Sequence, residues 1–221
     1  MLKILESLQI RDVDGNMKNI SNVVKKLVTE YELNDRIIVL KARQVGVSTA
    51  NSIFAFLTAL TKPNTTIGII SSNINMASII ISKIRYIFGD SAEQYQFTKS
   101  KITFNNGSKI IASSSNQDSI KGVSLDVLIV DEAAYVKNME EVICGLYPTL
   151  KPNSTVILSS TPNINDSYFS KLWKDSFSFN NPFIPIMIRW NDVDGRGKEF
   201  KTEMIKMIGL DNWKMEYDLK F

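Results

Sequence analysis

Lys41-Ala-Arg-Gln-Val-Gly-Val-Ser-Thr49 decides how this chain folds. It follows an apolar run, Arg36-Ile-Ile-Val-Leu40, that reads as a buried parallel strand. It leads into Ser48-Thr-Ala-Asn-Ser-Ile-Phe-Ala-Phe-Leu-Thr-Ala-Leu60, which reads as a helix. A strand, a short basic turn with a glycine, and a helix opening on Ser/Thr form the geometry of a phosphate-binding loop, in which free backbone N–H groups and the helix dipole favour an anion. Against the usual pattern G-x-x-x-x-G-K-[ST], Gly46 and Ser48 fit. Lys41 stands where the first glycine belongs, and Val47 where the lysine belongs. The loop residues Lys41, Ala42, Arg43, Gln44, Val45, Gly46, Val47, Ser48 and Thr49 are the candidate nucleotide contacts. A triphosphate needs a cation at its β/γ-phosphates. Lys41 and Arg43 are both long enough to fold back over the loop, and spacing does not separate them.

A second motif lies downstream. Val127-Leu-Ile-Val-Asp-Glu132 sets four apolar residues before two carboxylates at the C-terminal end of a strand, where open α/β sheets bind ligands. In a phosphate-loop NTPase the first acid holds Mg²⁺ and the second activates the attacking water. Asp131 and the Ser48 hydroxyl are the candidate metal residues, and Glu132 the candidate base. Two acids opening the following helix would also be favoured by its dipole alone; the strand, loop and helix upstream favour the chemical reading.

Further apolar runs fall at Thr65–Ser71, Asp126–Asp131, Ser154–Ser159 and Phe183–Trp190, with Pro185 placing the last at an edge or opening. Helical spacing covers Asn75–Phe88, with Met76, Ile79, Ile80, Ile84 and Ile87 as its apolar positions, and also 136–147, 167–176, 197–208 and 212–221. Ser21 or Asn22 caps a helix running to Tyr31. Asp14-Gly15 and Asn106-Gly107 mark hairpins, the second joining 97–104 to 108–112. Strands alternating with helices predict an α/β fold: a mostly parallel sheet flanked by helices on both faces, of the P-loop NTPase (RecA-like) kind, with an added β-hairpin. One domain is expected over 1–221: an N-terminal hairpin and helix region (1–35), a nucleotide-binding core (36–165) and a C-terminal subdomain (166–221).

Composition narrows the chemistry. The 221 residues carry a net charge of +3, which permits a polyanionic partner without arguing for one. There is no histidine, so His-based triads, His general bases and His-rich metal sites are excluded. The single cysteine, Cys144, excludes an internal disulfide or a cysteine zinc cluster, and is expected as a small buried side chain. No signal-peptide pattern and no membrane-length apolar run is visible, which points to a soluble, intracellular protein.

The two motifs with their flanks resemble the ATPase domain of the large terminase subunit of tailed bacteriophages, a DNA-packaging motor. The loop looks like that family's deviant phosphate loop, in which some members carry the lysine at the first position; this makes Lys41 the phosphate lysine and Arg43 the loop's catalytic or sensor arginine. Phe104-Asn-Asn-Gly-Ser-Lys-Ile110 resembles a family hairpin, and Ser119-Ile-Lys-Gly-Val-Ser-Leu-Asp126 the stretch before the acidic motif, with Lys121 a weak trans-acting candidate. Leu128–Tyr135 resembles the acidic motif itself. Leu158-Ser-Ser-Thr-Pro-Asn163 resembles the coupling motif, with Ser159, Ser160 and Thr161 as coupling residues placed to hydrogen-bond the water or Glu132.

The resemblance implies ATP and Mg²⁺ as cofactors, and double-stranded DNA, a portal protein and a small terminase subunit as partners. It also implies a homo-oligomeric ring on the procapsid, no membrane, and work in the cytoplasm of the infected host. Two departures accompany it. Gln9, the only glutamine before the loop, does not match the family's adenine-contacting glutamine. The chain also ends where a nuclease domain would begin, so ATP hydrolysis without DNA cleavage is expected. A helicase-like translocase, suggested by Asp131-Glu-Ala-Ala134, and a degenerate nucleotide-binding docking module are the alternatives.

Overall fold

Strands with hardly a polar residue between their ends need cover on both faces, and the order of elements supplies it. The computed structural model describes residues 1–221 except 12–14, 92, 116–119, 121, 164–167 and 221. The chain opens with α1 (Leu2–Ser7), β1 (Gln9–Arg11), β2 (Met17–Asn19) and α2 (Asn22–Leu33). It continues with β3 (Arg36–Lys41), α3 (Val47–Thr61), β4 (Thr66–Ser71), α4 (Ile74–Phe88), β5 (Tyr95–Phe97), β6 (Lys101–Phe104) and β7 (Lys109–Ser114). It closes with β8 (Leu125–Asp131), α5 (Met139–Leu146), β9 (Leu150–Ser160), α6 (Tyr168–Ser176), β10 (Ile184–Ile188), α7 (Lys198–Ile208) and α8 (Leu210–Glu216).

Eight strands form one sheet in the order β10-β3-β9-β8-β4-β7-β6-β5. The six from β10 to β7 run parallel, and β6 and β5 add on antiparallel. Pro185 sits in the edge strand β10, where its missing N–H breaks no inner ladder. The stretch 97–104, expected as one strand, is divided into β5 and β6, and the hairpin is no appendage: β7 pairs with β4 and extends the sheet. Its turn serves a second purpose, because the Asn106 amide donates to Ala59 O at 2.9 Å and Leu60 O at 3.2 Å, covering carbonyls that α3 leaves open at its C-terminal end. Gly107 in that turn has φ +85, the left-handed conformation that an Asn-Gly turn uses.

Helices α2, α3 and α4 pack in sequence against one another, while α6 lies on β3 and β10. Ser21 caps α2 as expected, its hydroxyl accepting from Val24 N. Around α7 and α8, Trp190, Phe200, Trp213 and Tyr217 build an aromatic cluster, with Trp213 wholly buried and stacked on Tyr217 at 4.6 Å. The tryptophans thus serve packing, Trp190 with part of its surface exposed.

Three expectations need correction. Cys144 is exposed, because α5 buries Met139 and Leu146, and a residue two positions from Leu146 lies about 200° around the helix from it. Met76 and Ile79 are also exposed: α4 turns Ala77, Ile80, Ile81 and Ile84 inward instead. The last helix ends at Glu216, short of the expected 221. Asp14 and Lys121 lie outside the described residues, although the strands of the Asp14-Gly15 hairpin pair as β1 and β2.

Candidate functional site

The register of the parallel strands brings the site together. Val39 of β3 pairs with Ser159 of β9, and Ser159 pairs with Asp131 of β8, so Lys41, Asp131 and Ser160 leave the sheet at one edge. The loop between β3 and α3 bends through two left-handed residues, Gln44 at φ +56 and Gly46 at φ +91. Glycine suits position 46 on two counts: the conformation disfavours a side chain, and a Cβ would stand a tight 3.1 Å from Val24 Cγ2. Gly46 caps α3, whose first amides have no carbonyl one turn behind them and face the loop's cavity as donors for an anion.

Val47 is buried at the start of α3, so the usual lysine position is committed to the core. Lys41, at the end of β3, is almost wholly buried and sends its ammonium to Glu132 Oε1 at 2.5 Å. Glu132 itself is held at φ +55, a left-handed conformation that a non-glycine residue adopts at a cost of about 1–3 kcal/mol, and its Oε2 has no hydrogen-bond partner among the described residues. A cavity of about 400 Å³ opens between the loop, Lys83 and Glu132, within the range of small-molecule sites.

Asp131 is buried in a hydroxyl network. Ser48 Oγ donates to its Oδ2 at 2.9 Å and Ser159 Oγ to its Oδ1 at 2.9 Å, while the Asn51 amide donates to Ser159 Oγ at 3.3 Å. Ser159 is thus turned to Asp131, where the sequence had suggested the water or Glu132. Ser160 Oγ accepts from Ala134 N at 3.2 Å, and Thr161 donates to the Tyr135 hydroxyl at 3.3 Å. Each of the three residues at the end of β9 is therefore bonded to the segment 131–135. Ser48 and Asp131 present hard oxygen donors side by side, which suits Mg²⁺. Among the described residues no group of three or more His, Cys, Asp or Glu forms, so such an ion would complete its shell with waters and phosphate oxygens, as Mg²⁺ does at phosphate sites.

Arg43 lines the same cavity, but its guanidinium is engaged by a distant carboxylate. Its guanidinium makes a two-pronged ion pair with Glu216 at 2.6 and 2.9 Å, and its N–H bonds Glu216 O at 3.0 Å. The Glu216 carboxylate raises the Arg43 pKa above its ordinary value, against a smaller opposing effect of burial. Arg196 donates to the carbonyls of Arg43 at 3.1 Å and Gln44 at 2.8 Å. The loop is therefore strapped to the C-terminal helices. Sequence reasoning missed Glu216, Arg196, Asn51 and Lys83. The first two leave no local pattern, but Lys83 continues the Met76-Ile79 spacing on α4.

The chain matches the family model for "Terminase large subunit, T4likevirus-type, N-terminal" over residues 38–221. It belongs to that family. The large terminase subunit of Escherichia phage T5 is 28% identical over 187 residues, which cover 81% of this chain and 42% of that protein. The large terminase ATPase domain of Thermus phage P74-26 superposes with a TM-score of 0.69 at 18% identity, covering 91% of this chain and 94% of that one. The large terminase of the thermophilic bacteriophage D6E in complex with ATP-gamma-S gives 0.73 at 14% identity, covering 90% and 52%. The fold is that of large terminase ATPase domains, and this terminase chain spans less than half the length of its T5 relative. No helix among its described residues is long and apolar enough to cross a membrane.

Proposed function

We propose that this terminase chain is an Mg²⁺-dependent ATPase whose turnover drives double-stranded DNA into a viral procapsid. The observation that carries the reading is the convergence of Lys41, Ser48, Asp131 and Glu132 around the loop cavity. ATP would lay its phosphates on the amides that open α3, with Lys41 as the principal phosphate cation. Arg43 is drawn in only when it leaves Glu216. Glu132, released by Lys41, orients and deprotonates the attacking water. Mg²⁺ held by Ser48 and Asp131 would neutralise phosphate charge. The remaining loop residues Ala42, Gln44, Val45, Gly46, Val47 and Thr49 shape the cradle.

Ser159, Ser160 and Thr161 are suited to coupling, because any shift of 131–135 on hydrolysis pulls on the end of β9 through their hydrogen bonds. The strap from Arg43 and Gln44 to Glu216 and Arg196 offers a second route, into α7 and α8. We assign the motor to a homo-oligomeric ring with a portal protein and a small terminase subunit, in the cytoplasm of the infected host. The nucleotide bound to the D6E relative and the ATPase domain of the P74-26 relative support the ATP assignment.

Steady-state phosphate release with MgATP tests the reading. Glu132→Ala is expected to lose about 10²–10⁴-fold in turnover, the usual contribution of a positioned base. Wild-type turnover in that variant would sink the assignment.

A further inference from the structure

We propose that Lys83, on α4, is a second phosphate-binding cation of this site, contacting the phosphate tail of the nucleotide directly. The proposal rests on the ATP reading above and adds a residue that neither sequence motif contains. Lys83 Nζ stands 3.5 Å from the Thr49 hydroxyl, at the first turn of α3. Its side chain borders both the loop cavity and the adjoining cleft of about 320 Å³ that also holds Asp131 and Glu132.

Three cations reach this space, and two already have counter-ions. Lys41 is paired with Glu132, and Arg43 with Glu216. No carboxylate of a described residue lies within 4.0 Å of the Lys83 ammonium. Burial lowers its pKa below the ordinary 10.5; the Asp131 charge opposes that shift and the Lys41 charge adds to it. A partly buried ammonium whose one described partner is a neutral hydroxyl at 3.5 Å lacks a counter-charge, and an anion supplies it. Exposed Ile79 and Met76 lie one and two turns back along the same face of α4, lining the cleft beside it. This face is unlike the rest of the helix surface: it presents an apolar wall ending in a desolvated charge, aimed at the anion cradle of α3. A phosphate oxygen arriving there completes Lys83 without disturbing either existing ion pair.

Calorimetric titration of the 221-residue chain with MgATP tests this, using wild type, Lys83→Gln and Lys83→Met. Thermal melts confirm that each variant is folded. Met keeps the apolar stem and removes the charge, so it separates packing from phosphate contact. Both variants are expected to bind MgATP about tenfold more weakly than wild type, the loss of one hydrogen bond between charged groups. Lys83→Met binding with wild-type affinity would overturn the role of Lys83 while leaving the ATP site standing. Failure of the wild-type chain itself to bind MgATP would overturn the site and, with it, this proposal.

Discussion

Glu132→Gln should move binding and turnover in opposite directions. In the free protein the Lys41 ammonium is engaged by Glu132 Oε1 at 2.5 Å, so a nucleotide that needs Lys41 must share or displace that carboxylate. The Lys41 side chain is 7% exposed and the Glu132 side chain 36%, which places the pair between the surface and buried regimes. Surface pairs contribute about 0.2–1 kcal/mol, and breaking buried ones costs about 3–5 kcal/mol. An intermediate figure of about 1–1.5 kcal/mol is the part of the binding energy now lost to the pair. Gln keeps the shape and one acceptor but removes the charge, so most of that energy returns to ATP. The expected result is MgATP binding about five- to tenfold tighter, measured by calorimetry or a fluorescent analogue. Turnover of the same variant should fall by about 10²–10⁴-fold, because the amide cannot take a proton. Lys41→Ala serves as the counterpart, with weakened binding as well as lost turnover. If Glu132→Gln binds MgATP no more tightly than wild type, then Lys41 is not contested between the carboxylate and the phosphates, and the mechanism above is wrong at its first step.

Two further outcomes concern stability. Ser159→Ala removes the hydroxyl that joins Asn51 to Asp131 and leaves buried polar atoms unpaired, at a cost of about 1.5–3 kcal/mol for a hydrogen bond to a charged group. At about 2–4 °C per kcal/mol for a domain of this size, the melting temperature should drop by about 3–12 °C. A calorimetric scan within about 1 °C of wild type would show that Ser159 does not stabilise Asp131. Lys83→Met should raise the melting temperature near neutral pH. Burial lowers the folded-state pKa of Lys83 below the 10.5 of the unfolded chain, so below that lowered value the folded protein carries the full cost of the desolvated charge. As pH rises from the lowered value to 10.5 the unfolded chain binds more protons, the wild type recovers stability, and the gap between the two proteins should close. A gap that is constant across that window would show that the substitution acts through packing alone.

The phosphate loop and the acidic motif were legible in the sequence because each is a contiguous run whose geometry follows from a strand ending and a helix or turn beginning. Parallel register then does the rest, since strands in one sheet must deliver Lys41, Asp131 and Ser159 to a common edge. Spacing does not separate Lys41 from Arg43, and what does differ between them is a long-range partner: Glu216, 173 residues away, holds Arg43, and an ion pair between distant segments imposes no periodicity on either. The error on α4 has a different cause. Met76, Ile79, Ile80, Ile84 and Ile87 look like one apolar stripe, but the helix has two apolar faces, one set on the core through Ala77, Ile80, Ile81 and Ile84, the other open to the site through Met76 and Ile79. Helical spacing alone cannot separate them, since both faces repeat every three to four residues and merge into one broad apolar arc. The residue that continues this second face at i, i+3, i+7 is charged, and it is Lys83, which borders the cleft. An ammonium brought beside the free amides that open α3 is what the proposed phosphate contact requires and what an apolar core does not tolerate.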